Sequence, residues 1–286
     1  MVTRRDLGAL TKLGLSTSPG FVMTAPAQPH GDLEPIFDNI WFVRGGWPMP
    51  VPLRPRISRS MTILRDPTTG SVTLVNSMRL SEAGLLALEA IGPIKHVIRL
   101  ASMHGADDAF YRERYGAKVH ALRGTYYSSG LTADADPAAS YFAPDAHFDV
   151  GTTLPIRGAT VHVMDSPKQR EASILLDRNG GILLSGDYFH NTPAPDEFTN
   201  TLAAVGMRLA GLACECNVGV GWVMMSRPSR EDLLGLLKLP FEHVLPIHGE
   251  PVIGNARERY RPAIEKFARR AAPASDIHAS AQHASR

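Results

Sequence analysis

The chain has 286 residues, 44% of them hydrophobic and 20% charged, which provides for a substantial core and excludes wholesale disorder. Thirty Lys and Arg against 28 Asp and Glu give a formal charge of +2 with no concentrated basic stripe, so no nucleic acid partner is expected. The sequence has no run of about 18 apolar residues, so no spanning helix is expected either.

Residues 1–28 read as a leader. Thr3-Arg4-Arg5-Asp6-Leu7 resembles a twin-arginine signal, and Ala25-Pro26-Ala27 looks like a small-residue cleavage site. Lys12, Ser16, Thr17, Ser18, Pro19 and Gly20 interrupt the apolar stretch that such a signal needs. Two readings stay open, a frayed leader on a cytoplasmic protein and a signal for the periplasm, with the first preferred. One domain is expected over residues 33–271, followed by a disordered tail, 272–286, whose His278 and His283 lack surroundings that could orient them as ligands.

Ile40 to Val43 reads as a strand entering a long loop at Gly45-Gly46 and the proline-rich stretch Trp47 to Pro55. Ser60 to Leu64 and Val72 to Val75 form a predicted hairpin across Asp66-Pro67-Thr68-Thr69-Gly70. Ser81 then precedes a helix-period run through Leu85, Leu86, Leu88 and Ile91 that stops at Gly92-Pro93. A strand over His96 to Leu100, a helix over Asp108 to Tyr115 ended by Gly116, and a strand over Lys118 to Leu122 follow. Thr152 to Ile156, Thr160 to Met164, Ser173 to Leu176 and Gly181 to Leu184 read as strands between turn signals. Asn200 to Leu212 and Arg230 to Leu237 read as helices, Phe241 to Pro246 as a strand, and Arg257 to Arg270 as a closing helix. Hairpins and crossovers mix within each half, which favours sheets covered by helices.

Cys214 and Cys216 form a Cys-Glu-Cys run with no further soft ligands nearby, and are read as two ordinary thiols. His96 and His162 fall within predicted strands and are read as structural. Leu202, Val205, Met207, Leu209 and Leu212 cluster near Trp222, either as an exposed patch that could serve a homodimer or as a buried helix, the reading preferred.

Three segments resemble landmarks of the metallo-β-lactamase superfamily. Leu183-Leu184-Ser185-Gly186-Asp187 is similar to its strand-end Gly-Asp element, and Leu245 to Val252, with His248-Gly249 inside it, looks like its terminal His-Gly loop. The first segment, Ile98 to Tyr115, departs from the family pattern His-x-His-x-Asp-His. It reads Ala101-Ser102-Met103-His104-Gly105-Ala106-Asp107-Asp108. Aligned from the strand, His104 takes the second histidine position and Asp107 the last; aligned on the aspartate, His104 takes the first and Asp108 the aspartate. Both registers stay open. The histidine that the family carries before the Gly-Asp strand is missing from Asp165-Ser166-Pro167-Lys168-Gln169-Arg170.

The resemblance implies an α/β fold, a four-layer αβ/βα sandwich of two mixed β-sheets packed face to face with helices outside. It implies a reduced site, with His104, Asp107, Asp187 and His248 as ligands of one divalent zinc, iron or manganese ion, and Asp107 and Asp187 as catalytic carboxylates. Two imidazoles with one or two carboxylates suit those metals. His190 could reach the same cleft, although a loop hydrogen bond is its preferred reading. Two functions are weighed: a mononuclear hydrolase of a small-molecule substrate, and a non-catalytic descendant that binds a small molecule or a protein in the old cleft. Trp47 and the Pro48 to Pro55 loop could wall a pocket there.

Overall fold

The structure is a computed structural model that describes residues 26–49, 52–127 and 140–273. The expected leader, up to residue 25, and the expected tail, from 274 on, lie outside the described residues.

The first sheet runs in the order β1 (Glu34–Phe37), β2 (Ile40–Pro48), β3 (Arg56–Arg65), β4 (Val72–Val75), β5 (Ile94–Arg99), β6 (Lys118–Leu122) and β7 (Ala146–Phe148). Its first four strands pair antiparallel and the remainder parallel. The crossover from β4 to β5 is α1 (Glu82–Ile91), and from β5 to β6 it is α2 (Asp108–Tyr115). Ser81 caps α1 by accepting the Gly84 N–H, which satisfies one of the amides a helix start leaves open. Gly116 ends α2 in the left-handed region at φ 64°, its N–H closing on the Arg112 carbonyl.

The second sheet orders β13 (His243–Leu245), β10 (Ile182–Ser185), β9 (Glu171–Leu176) and β8 (Ala159–Met164), with β10 and β13 parallel. A smaller sheet joins β12 (Cys214–Val218), β11 (Phe189–Thr192) and β14 (His248–Gly249). Helices α3 (Thr201–Leu209), α4 (Val220–Ser226), α5 (Arg230–Gly235) and α6 (Ala256–Ala268) complete this half.

Side-chain alternation sorts the core into layers. Phe42, Ile98, Ile174, Ile182 and Leu184 pack together between the two main sheets. Their strand neighbours Val43 and Val97 face outward onto Leu85 and Leu88 of α1. Leu183 faces outward instead with Trp222, Leu233 and Ile264 of the later helices. The expected αβ/βα sandwich is therefore the observed one, with sheets inside and helices outside.

Local differences from the expected elements have physical causes. Strand β2 continues through Gly45-Gly46 and Trp47 as far as Pro48, because β3 begins early, at Arg56, and takes up the pairing. Gly45 leaves room there for Met78, whose sulfur would lie 2.7 Å from an added Cβ. Thr152 to Ile156 is not a strand: Leu154 enters the core, but Pro155 has no N–H to give a ladder, and its carbonyl takes the Thr73 hydroxyl instead. Helix α3 is not buried. Leu202 and Val205 are each 47% exposed and Leu209 is 85% exposed. The two cysteines are free thiols. Among the described residues no helix is long and apolar enough to cross a membrane.

Candidate metal centre

Three loops that follow parallel strands converge on one edge of the sandwich: the segment after β5, the turn after β10, and the segment after β13. They carry His104, Asp187 and His248. Polar stitches hold the two sheets together at this edge. Ala172 donates to the Leu100 carbonyl at 3.1 Å, Ser60 N–H to the Ile247 carbonyl at 2.7 Å, and Asn76 Nδ2 to the Ser185 carbonyl at 3.3 Å. Each loop is thus fixed by the opposite sheet, the kind of rigid support a ligand set needs.

His104 Nε2 lies 2.7 Å from Asp187 Oδ1, and His248 Nε2 lies 3.2 Å from the same oxygen. Among the described residues these three make the one group of His, Cys, Asp and Glu side chains with metal-holding spacing, their ligand atoms all within 4.8 Å of one another. The second Asp187 oxygen, Oδ2, is buried and has no hydrogen-bond partner. Burial alone would push the Asp187 carboxyl up, but the two imidazoles more than reverse this and hold it well below the usual carboxylate range. Burial pushes the His104 imidazole down, against the pull of Asp187, which favours the neutral ring that a metal requires.

The tautomer of His248 is set by geometry. Its Nδ1 sits 2.7 Å from the Ser58 carbonyl, an acceptor only, so Nδ1 carries the hydrogen. Nε2 then turns a lone pair toward a carboxylate oxygen, an arrangement that is repulsive unless a proton or a metal ion lies on it. Gly249 makes this turn possible: at φ 91°, a Cβ there would lie 1.9 Å from the Asn191 carbonyl oxygen.

The donor set passes the test of fit. Metal bonds of about 2.0–2.2 Å place tetrahedral ligand atoms roughly 3.3–3.6 Å apart, so the closest pair, at 2.7 Å, must part by under roughly 1 Å. The two nitrogens and the carboxylate suit zinc, iron or manganese.

The structure does not bring Asp107 to this cluster. Its Oδ2 is taken by the Arg59 guanidinium in a buried ion pair, and by the Arg79 N–H at 3.0 Å. The catalytic and ligand roles expected of Asp107 are corrected on that ground: its charge neutralises a buried arginine. Asp108 is no substitute. Fully buried at the start of α2, it accepts the Ser77 and Tyr127 hydroxyls, each at 2.6 Å, and burial pushes its carboxyl up to about 6. Neither alignment of the His104 segment thus supplies an aspartate to the cleft.

Sequence reasoning missed the residues that hold these loops. Buried Arg99 donates to the carbonyls of Ser102, His104 and Tyr126 and to the Thr125 hydroxyl, with its guanidinium 3.7 Å from the Tyr127 ring centroid. It fixes the segment that presents His104. Glu171 lies beneath Asp187 and accepts its N–H at 2.5 Å; burial and the Asp187 charge hold the Glu171 carboxyl far above its ordinary range. A charged residue inside an apolar strand pattern is the signal that could have marked Arg99, since nothing else explains it there. Ser166, in the segment that lacks the customary histidine, is tied to Asp232 and to the Ser229 N–H.

His190 does reach the cleft. It pairs with His248 across β11 and β14, and their ring centroids are 4.7 Å apart. Burial, with His248 beside it, pushes His190 down to about 3, and its Nε2 is buried without a partner. Above the cluster opens a cavity of about 480 Å³, lined by Trp47, Met103, Met207, Trp222 and Met225 among others. Trp47 walls it, as expected, with its ring 6.2 Å from that of His104. His96 and His120 face each other on neighbouring strands at 3.3 Å, away from the cleft residues.

No protein-family model and no curated protein matches the sequence. Solved structures do match. The metallo-β-lactamase FIM-1 from Pseudomonas aeruginosa, in its mono-zinc form, aligns with a TM-score of 0.55 at 12% identity over 86% of this chain and 99% of that one. A variant of the flavo di-iron protein from Thermotoga maritima aligns with a TM-score of 0.54 at 14% identity, over 85% of this chain and 63% of that one. A metallo-β-lactamase family protein from Thermus thermophilus aligns at 0.51 with 17% identity, over 82% of this chain and 81% of that one. The chain has the metallo-β-lactamase fold.

Proposed function

We propose that this protein is a metal-dependent hydrolase with a mononuclear site, its ion held by His104, Asp187 and His248. The observation that carries the reading is the position of Asp187: Oδ1 between two imidazole nitrogens, Oδ2 buried and without a partner. Ser102 and Ala106 offer no imidazole, Asp107 is held by Arg59, and residues 165–170 contain no histidine, which supports one ion rather than two. The mono-zinc state of the Pseudomonas aeruginosa enzyme and the iron of the Thermotoga maritima protein agree with one of the expected metals here.

A bound divalent ion would supply a Lewis acid and lower the pKa of a coordinated water toward 7. The rest of the chemistry lies with the chain. Ser58 fixes the His248 ring, Arg99 fixes the His104 backbone, and the cavity walls keep bulk water from the three ligands. Hydrolysis should be chelator-sensitive, restored by zinc, iron or manganese, and absent from Asp187→Asn; activity that survives both treatments would end the reading.

The non-catalytic alternative has one observation in its favour. His104, Asp187 and His248 already contact one another directly, as a remnant closed on itself would. It predicts a melting temperature unmoved by chelator or by added metal.

A further inference from the structure

We infer that the cavity above His104, Asp187 and His248 takes a neutral apolar molecule, specifically a carboxylic ester carried on a hydrocarbon chain. The ester half rests on the hydrolase reading; the apolar half rests on the walls alone.

Six side chains from four separate segments define those walls: Trp47, Met49, Met103, Met207, Trp222 and Met225. Two indole rings give large rigid surfaces. Four thioethers give unbranched, polarizable surfaces that repack around ligands of different shape. His104, Asp187, His190 and His248 lie on the floor, and Ser58, Thr192 and Asn217 add neutral polar groups to the lining. A volume of about 480 Å³ falls within the range of sites that bury most of a small organic ligand.

Charge narrows the ligand further. Among the described residues that line the cavity, none is Lys or Arg, and Asp187 is the one carboxylate. A carboxylate-bearing β-lactam would bring, beyond the bond presented to His104, Asp187 and His248, a second group that is an anion against methionine and tryptophan with no guanidinium or ammonium to receive it. Arg59 and Arg99 cannot serve. The first is held by Asp107, and the second is committed to backbone carbonyls and Thr125 on the far side of the His104 segment. A neutral ester has no such requirement. Its carbonyl reaches the polar floor while its hydrocarbon part lies along the walls. In the reaction the oxygen of water bonds to the acyl carbon, the acyl–oxygen bond breaks, and the proton leaves with the alcohol, giving a carboxylic acid and an alcohol.

Trp47 and Trp222, two of the three tryptophans in the chain, report directly on occupancy. Binding of 2-pentanone, 2-heptanone and 2-nonanone to the full chain should be titrated by tryptophan fluorescence, and p-nitrophenyl acetate, butanoate and octanoate tested with zinc-, iron- and manganese-loaded protein. Each buried methylene tightens binding about three- to fourfold at the transfer limit, so at least a tenfold gain from 2-pentanone to 2-nonanone is expected, with kcat/KM rising along the ester series. Met207→Lys should lower nonanone affinity at least tenfold. If that variant does not fold, Leu212→Lys, 37% exposed at the rim, carries the same test. Ketone binding that is absent or indifferent to chain length, or tighter binding of benzylpenicillin than of 2-nonanone, overturns the inference and leaves the hydrolase reading standing if esters are still cleaved. Ketones that bind with the expected dependence while no loaded form cleaves any ester uphold the apolar site and overturn the hydrolase reading.

Discussion

Two polar clusters lie on either side of the His104 segment and differ in how their carboxylates are matched. Behind it, Arg59 pairs with Asp107, Asp108 accepts two hydroxyls, and Arg99 donates to three carbonyls and a threonine. In front of it, His104 and His248 share one oxygen of Asp187, and the other oxygen has no partner. Both rear aspartates have partners, while Arg59 Nε and Arg99 Nε are buried without one. The front cluster leaves Asp187 Oδ2 buried and unmatched. Behind, arginines and hydroxyls answer the aspartates and the cluster acts as structure; in front, a buried carboxylate oxygen without a partner lies beside the His248 Nε2 lone pair, an arrangement that favours a cation. One short loop thus carries residues of both kinds, and aspartates whose sequence position suggests chemistry have become part of the scaffold.

Changes on the two sides should therefore have opposite signatures. The largest effect is expected from Asp187→Asn, which removes the charge between the imidazoles: hydrolysis should fall at least about 100-fold, measured as kcat/KM on metal-loaded protein, with the melting temperature of the metal-free form little changed. Next comes Asp107→Ala, which strands the Arg59 guanidinium inside the protein and should destabilise it by about 3–5 kcal/mol in urea unfolding. The double change Arg59→Met with Asp107→Leu should recover most of that loss, and the folded fraction should still hold metal. A variant that loses metal while keeping its stability would place Asp107 in the front cluster after all.

Asp108 gives a pH signature for the rear cluster. Burial raises its folded pKa to about 6 from an ordinary 3.8. The folded state therefore keeps a proton that the unfolded chain has released, and this group's contribution to stability falls as pH rises from about 4 to 6. The shift corresponds to roughly 3 kcal/mol. Asp108→Asn should flatten that part of the stability curve, and a curve identical to the parent's would show that Asp108 is charged throughout. The smallest effect is at a helix end: Ser81→Ala should cost about 1 kcal/mol through loss of the α1 cap, seen in thermal unfolding with metal content unchanged.

The layers of the fold could be read from the sequence because alternation and caps are local. Ser81 and Gly116 mark helix ends by their own chemistry, and Val97 beside Ile98 shows a strand buried on both faces. Strands β11 and β12 could not be read, since each is short and their pairing is irregular where Cys216 takes a positive φ of 42°. In the site, His104, Asp187 and His248 were visible through motifs. The fate of Asp107 was not, because it depends on Arg59, a partner 48 residues away on the second long strand. The cavity was legible only at Trp47 and the proline-rich loop after it; its methionines come from segments that no periodicity connects.

The most direct test of a front cluster built around a cation is elemental analysis of the full chain purified without chelator, beside His248→Ala. One equivalent of zinc, iron or manganese per chain, lost in the variant while its fold persists, is the predicted result. No metal in either protein, and no rise in melting temperature when these ions are added, would contradict it.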